Sequence, residues 1–360
     1  MMSSQSTPPL KFLVIRRDNI GDLACTTPVF RALRTHYPDS FICALVNSYN
    51  LPVLANNPDI NQSFAYTKAK HRPPGKSVLG VYWDRLRLVH QLRQLNFDFV
   101  ILAGPGFQKR SLVFARLLKS KHIVGFIQDG ERGIEHIDKA MPYHAAPQPI
   151  HEVEDTFRLL ATIGIESKPP NMRIVPDPTR APAVQAQVNQ KQWPADIPIF
   201  GIHISARKPS QRWPTSNFVA LIRKLHQSHN AAFLLFWSPG DDKNPMHPGD
   251  DAKAQEIMRG LVNIPILAYP TQELGQLIAG LSVCNIIVCS DGGAMHLAAG
   301  LGKPILCFFG KSESTRWHPW GVPYVLLQSN SFDVKDVSVN DAYIGIQKLL
   351  NQGITNNAKA

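Results

Sequence analysis

Cysteine is scarce in this chain, and none of its five cysteines forms a Cys-x-x-Cys pair. Cys25, Cys43, Cys284, Cys289 and Cys307 stand singly in apolar segments, which argues against a zinc or dithiol motif and reads as buried thiols. The thirteen histidines contain no His-x-x-x-His pair on an expected helix with a third acidic ligand, so neither a metal nor a cofactor is expected. Long apolar runs are missing too: none approaches the roughly 18 residues needed to cross a bilayer. The start, MMSSQSTPPL, has no cationic stretch leading into an apolar core, so no secretion signal is expected and the cytoplasm is the expected location. Acidic residues are in deficit, 27 against 38 lysines and arginines, and the resulting charge of +11 calls for a negatively charged partner. A zinc finger or an aromatic Lys-Gly-Phe strand would point to nucleic acid, and neither is present. An anionic lipid, glycolipid or membrane surface satisfies the same charge.

Complete nucleotide loops are also missing. Gly75-Lys76-Ser77 and Gly310-Lys311-Ser312 imitate the end of a phosphate-binding loop, but Lys70 and Ile305 stand where its first glycine belongs. Gly104-Pro105-Gly106 follows an apolar run, yet Lys109 occupies the third glycine position of a dinucleotide fingerprint, which weakens a nicotinamide-dependent reading.

What the sequence does contain is a strand–helix alternation repeated in two halves. KFLVIR (11–16), 41–46, 97–103 and 122–126 read as strands, with helices over 27–36, 82–95, 108–118 and 153–163. A proline-rich stretch, 168–182, interrupts the rhythm. A second series follows, with strands at 199–204, 232–237, 286–289 and 305–309 and helices at 217–226, 251–259, 272–281 and 294–300. The expected fold is α/β, with two Rossmann-like doubly wound domains facing a cleft, at 1–175 and 176–360; the last helix is a candidate to pack back on the N-terminal domain. The loop 239–251 (PGDDKNPMHPGDD) reads as a surface insertion or a lid.

Three stretches carry candidate chemistry. In RRDNIGDLACTTPVFRAL (16–33), Asp22 follows the first strand, where a carboxylate could take a proton from a hydroxyl; the competing reading is a helix cap. Arg16 and Arg17 could hold Asp22 ionised or bind an acidic acceptor; Lys68, Lys70 and Arg72 of the basic run KAKHR would suit an acceptor with carboxylates or phosphates, or could simply be a solvated face. In HISARKPSQRWPTSNF (203–218), Ser205 and Arg212 belong to a loop of hydroxyls and cations suited to a diphosphate, and Trp213-Pro214 marks that loop as ordered. In IIVCSDGGAMHLAAGLGKPILCFFG (286–310), a buried strand runs through Ser-Asp-Gly-Gly into a short helix. Gly292 and Gly293 thus stand at a helix N-terminus, where free N–H groups favour an anion.

Taken in order, IGDLACTTPVFRAL, HISARKPSQRWP, SDGGAMHLAAGLGKPILCFFG and TRWHPWG (315–321) resemble glycosyltransferase family 9, the bacterial lipopolysaccharide heptosyltransferases. The resemblance covers most of the chain. It implies the two-domain B architecture and inverting, metal-independent transfer from a nucleotide-activated heptose, typically ADP-heptose. Its expected partners are a nucleotide-sugar donor and an anionic glycolipid acceptor, with peripheral contact at the inner membrane surface and no nucleic acid. On that reading Asp22 is the general base, and Ser205 and Arg212 hold the diphosphate, although the family more often carries lysine near Arg212. Asp291 faces the donor sugar, the amides of Gly292 and Gly293 meet phosphate, and His296 lies beside them. The stretch Ala268–Thr271 is the candidate for the base, with Thr271 as a donor contact. The alternatives are another sugar-nucleotide enzyme on the same architecture, such as an epimerase, and a non-catalytic polyanion binder in which Asp22 has no role.

Overall fold

The computed structural model describes residues 8–67, 77–143, 149–194, 196–243 and 248–357. The chain divides into two compact units, Met1–Pro170 and Asn171–Ala360. Each is built on a six-stranded, wholly parallel sheet with the same winding.

In the first unit the strands are β1 (Lys11–Arg16), β2 (Phe41–Asn47), β3 (Gln62–Tyr66), β4 (Phe99–Leu102), β5 (His122–Ile127) and β6 (Lys139–Pro142), ordered β3-β2-β1-β4-β5-β6. The inner strands are near-continuous apolar runs because helices cover both faces of a parallel sheet. Five of six β1 residues are buried, and Leu13, Ile15, Leu45, Val100 and Leu102 sit in one core cluster. Helices α1 (Ile20–His36), α2 (Val78–Gln94), α3 (Lys109–Leu118) and α4 (Glu152–Phe157) flank the sheet.

Helix α1 starts well before the expected Thr27 and carries Pro28 in its interior. Proline has no N–H for the carbonyl four residues back, that of Ala24. Thr27 Oγ1 donates to that carbonyl instead, at 2.7 Å, so the helix runs through the proline with the acceptor satisfied.

The second unit repeats the plan with β7 (Ile199–His203), β8 (Ala232–Trp237), β9 (Ile266–Pro270), β10 (Ile286–Ser290), β11 (Ile305–Phe309) and β12 (Tyr324–Gln328), ordered β9-β8-β7-β10-β11-β12. Its helices are α5 (Arg180–Gln190), α6 (Thr215–His229), α7 (Asp251–Arg259), α8 (Leu274–Ser282), α9 (Gly293–Gly300), α10 (Ser314–Trp317) and α11 (Val339–Asn357). In both sheets the winding reverses between two neighbouring strands, β1 with β4 and β7 with β10. Ligands of doubly wound sheets bind outside the carboxyl ends at such a reversal.

The first unit ends at Pro170, five residues before the expected limit: Ile174 donates its N–H to Gly300 O (2.8 Å) and packs where a Cβ on Gly300 would stand, which ties the connection to the second unit. In the last helix, α11, Ala342, Ile346 and Leu349 are buried in the core that includes α6 and β11. The proline-rich connection also ends sooner than expected, because Asp177 Oδ1 accepts from the N–H groups of Thr179 and Arg180 and opens α5.

All five cysteines are buried free thiols, as expected. The loop 239–251 is pinned at its base: Asp250 N–H donates to Ser238 O (2.9 Å), and Asp251 accepts from Gly240 N–H and from the Trp237 indole. Among the described residues, no helix is long and apolar enough to cross a membrane.

Candidate active site

At the β1/β4 reversal the sequence places two arginines in succession, and the strand sends them to different fates. Arg16 is 1% exposed. Its guanidinium meets Asp18 (3.0 Å), Asp22 (3.0 Å) and Glu152 (2.7 Å), and donates to Ala103 O (2.5 Å). A cation so enclosed sits against Asp22, in line with the first of the two roles read for it, and has little exposed surface for an acceptor. Glu152 was not singled out from the sequence. It opens α4, more than a hundred residues from Arg16, and only the packing of α4 on α1 brings it there.

Asp22 occupies the third position of α1 and accepts from Asn19 N–H (2.9 Å), so it does cap the helix. It does more than that. Burial opposes its ionisation, but the Arg16 guanidinium and the bonds from Asn19 outweigh this and hold the carboxyl below the usual carboxylate range. The result is a partly accessible carboxylate at the carboxyl end of β1 that is ionised at neutral pH.

Arg17 faces the other way. Its Nη2 donates to Ser111 Oγ (3.2 Å) near the start of α3, and its guanidinium lies 4.7 Å from the Tyr66 ring centroid, with Arg85 at 4.8 Å from the same ring. Burial, with Arg85 close by, pushes Arg17 below the usual arginine range. Two guanidiniums sharing one tyrosine make an electropositive spot in this unit. Lys68, Lys70 and Arg72 lie outside the described residues.

At the β7/β10 reversal, three separated motifs meet. Ser290 Oγ donates to Gln211 O (2.6 Å), and Gln211 Nε2 donates to Asp291 Oδ2 (2.7 Å) and to Ser312 Oγ (2.9 Å). Gln211 is buried and, unlike its charged neighbour Arg212, is not among the residues singled out from the sequence. Trp213 fixes the loop in which both stand: its indole donates to Val337 O (2.9 Å) and its ring stacks on Phe308 at 4.6 Å. That loop is ordered, as expected.

Arg212 turns away from Asp291. Its Nε donates to Ala206 O (2.9 Å) and its Nη2 lies 3.7 Å from Asp250 Oδ1, while Nη2 and Asp250 Oδ2 are buried without a hydrogen bond. Lys253, also missed from the sequence, donates to Ile204 O (3.0 Å), and burial pushes its ammonium down to about 8 against the pull of Asp250. Two cations thus share one acid at the end of β7, leaving positive charge for an anion to neutralise.

Asp291 accepts from Gln211, and among the described residues no side-chain cap bond is made at the start of α9. The glycine requirement sits at Gly292 (φ +153°, ψ −170°), a region open only to glycine, although a Cβ there would meet no atom within 4 Å. Gly293 is the first residue of the helix and needs no such freedom. His296 is buried one turn in, edge-on to the Trp317 ring at 5.9 Å, which joins the TRWHPWG segment to the same region. Ser205 and Thr271 latch strand ends: Ser205 Oγ accepts from Ser238 N–H (2.9 Å), and Thr271 donates through N–H and Oγ1 to Trp237 O. Neither is bonded to the Asp291 cluster among the described residues.

Two doubly wound domains, one with a guanidinium-held carboxylate at its winding reversal and the other with a glycine-opened helix start at its own, define a class of two-domain α/β enzymes. Within that class the chain belongs to glycosyltransferase family 9 (heptosyltransferase), whose family model matches residues 85–344. It is similar to lipopolysaccharide heptosyltransferase 3 of Escherichia coli K12, 26% identical over 315 residues, covering 83% of this chain and 82% of the relative. It is 24% identical to lipopolysaccharide heptosyltransferase 2 of Salmonella typhimurium, with 84% of each covered. A glycosyl transferase family 9 structure from Veillonella parvula superposes with a TM-score of 0.80 at 18% identity, over 95% of this chain and 97% of that one.

Proposed function

We propose that this glycosyltransferase is an inverting, metal-independent heptosyltransferase that moves a heptose from ADP-heptose to a lipopolysaccharide-core or related glycan acceptor. The observation that carries the reading is the Asp22 carboxylate, held ionised at the carboxyl end of β1 by a buried arginine. The names of the relatives, lipopolysaccharide heptosyltransferases 2 and 3, support the sugar and the glycan. The solved E. coli ADP-heptose lps heptosyltransferase II, which superposes with a TM-score of 0.74, supports the two-domain fold, and its name is the ground for the proposed donor.

In the proposed reaction the acceptor hydroxyl gives its proton to Asp22 as its oxygen bonds to the anomeric carbon. The bond from that carbon to the diphosphate breaks on the opposite face, which inverts the configuration. The charge arriving on the leaving diphosphate is met by the first amides of α9 and by Arg212 with Lys253, donors fixed before the reaction begins. Asp291, aimed by Gln211, contacts the heptose, and Arg17 with Arg85 suits an anionic group of the acceptor.

Calorimetry with a panel of nucleoside diphosphates and nucleotide sugars tests the donor assignment. ADP-heptose is expected to bind most tightly. Arg212→Ala weakens ADP and ADP-heptose together, and Arg212→Lys recovers part of the loss as a point charge. Gln211→Ala spares ADP and costs the sugar-bearing donor about tenfold, on the scale of a hydrogen bond to a charged group. Preference for another nucleotide, or equal ADP affinity in Arg212→Ala and the parent, overturns the assignment.

A further inference from the structure

The charge excess is not spread over the chain. Residues 66–121 hold twelve of the 38 lysines and arginines and only two of the 27 acids, so nearly the whole +11 originates in this one stretch. Its described part is dominated by α2 and α3.

Helix α2 packs on the first sheet through Val81, Leu88, Val89 and Leu92. Its opposite face carries Leu79, Tyr82, Trp83 and Leu86 at i, i+3, i+4 and i+7, exposed by 74%, 53%, 64% and 61%. Helix α3, packed beside α2, adds exposed Val113 and Leu117 one turn apart. Six of the eleven exposed large hydrophobics among the described residues lie on these two helices. An outer helix face of a globular protein is ordinarily polar, and apolar side chains gathered on one face mark an interaction surface.

The charges around them decide what covers it. Together α2 and α3 carry six arginines and lysines and a single acid, Asp84. A second copy of the same face would bring like charges together, which costs several kcal/mol at an interface. An anionic lipid surface has the complementary sign. Exposed tryptophan, tyrosine and leucine interleaved with arginine suit the depth profile of a bilayer, with rings at the headgroup level and cations on the lipid phosphates.

We propose that the outer face of α2 and α3 is a membrane-docking surface. Trp83, Leu79 and Leu86 enter the interfacial layer, and Arg87, Arg110 and Arg116 lie on anionic headgroups. The inference rests on the glycolipid-acceptor reading for its choice of a lipid surface, and its test is kept separate from transfer activity.

The full chain is sedimented with phosphatidylcholine vesicles and with vesicles that also contain phosphatidylglycerol. It is expected to bind the anionic vesicles, and added salt weakens that binding. The double variant Trp83→Glu/Leu86→Glu binds them at least about tenfold more weakly, since two apolar anchors become charges of the repelled sign. Val262→Glu, at an exposed position of the second unit, binds like the parent. The double variant melts like the parent because both side chains are exposed, and it keeps transfer to a lipid-free acceptor. Parent-like vesicle binding by the double variant overturns the surface, as does a parent dimer by light scattering that this variant dissociates. Transfer to a soluble acceptor by a parent that ignores vesicles sinks the docking surface and leaves the enzyme reading standing. Vesicle binding without transfer from any nucleotide sugar does the reverse.

Discussion

Asp22→Asn loses between about 100-fold and 10,000-fold of the transfer rate at saturating acceptor, the usual contribution of a general base. ADP affinity stays near that of the parent, because the diphosphate is assigned to the other unit. The substitution keeps the size of the side chain and an oxygen for the Asn19 N–H, so the cap of α1 is largely preserved. It removes the negative charge that takes the proton. If Asp22 were only a cap, the variant would lose roughly 1 kcal/mol of stability and keep its turnover. Melting and single-turnover rates on the same preparation separate the two.

The pH dependence follows from the sign of the shift. The folded-state pKa of Asp22 lies below its ordinary value, so the carboxylate is fully ionised at neutral pH. The stability linked to its ionisation is present above the unfolded pKa, about 4 for an aspartate, and is lost as pH falls through the folded pKa. Transfer should fail over the same acid range and stay insensitive to this group toward neutrality.

The second large effect is on stability. Arg16→Met leaves Glu152, with its side chain 1% exposed, and Asp22 facing each other without their shared cation. Removing one partner from a buried ionic cluster typically costs about 3–5 kcal/mol. Denaturant unfolding should show this loss in the transition of the N-terminal domain, and adding Glu152→Gln should return part of it. A parent-like unfolding curve together with a raised KM for the acceptor would give Arg16 the other role read for it, acceptor binding.

The eight inner strands were legible in the sequence because burial on both faces leaves them as unbroken apolar runs, such as IIVCS and ILCFF. The four strands not placed, β3, β6, β9 and β12, are the four sheet edges. QSFAY and KAMP are only partly buried, and their mixed composition resembles that of the loops around them. Pro28 misled the placement of α1, since proline usually marks a first turn and the hydroxyl that satisfies the freed carbonyl cannot be read from a string.

For the site, residue types were legible and partners were not. Asp22 and Asp291 stood out by position after a strand. That Glu152 joins Arg16, and that Gln211 rather than Arg212 aims Asp291, depends on contacts spanning 136 residues in one case and 80 in the other. Of the two glycines read at the helix start, the positive φ falls on Gly292, a backbone angle that the string Gly-Gly does not reveal.

The central claim is tested most directly by incubating the enzyme with ADP-heptose and a lipopolysaccharide precursor, counting ADP released against heptose gained by mass, and determining the anomeric configuration of the new linkage by NMR. The account predicts one ADP per heptose transferred, with the configuration opposite to that of the donor and the reaction undiminished by chelator. A retained configuration, or turnover of a different nucleotide sugar with none of ADP-heptose, would contradict it.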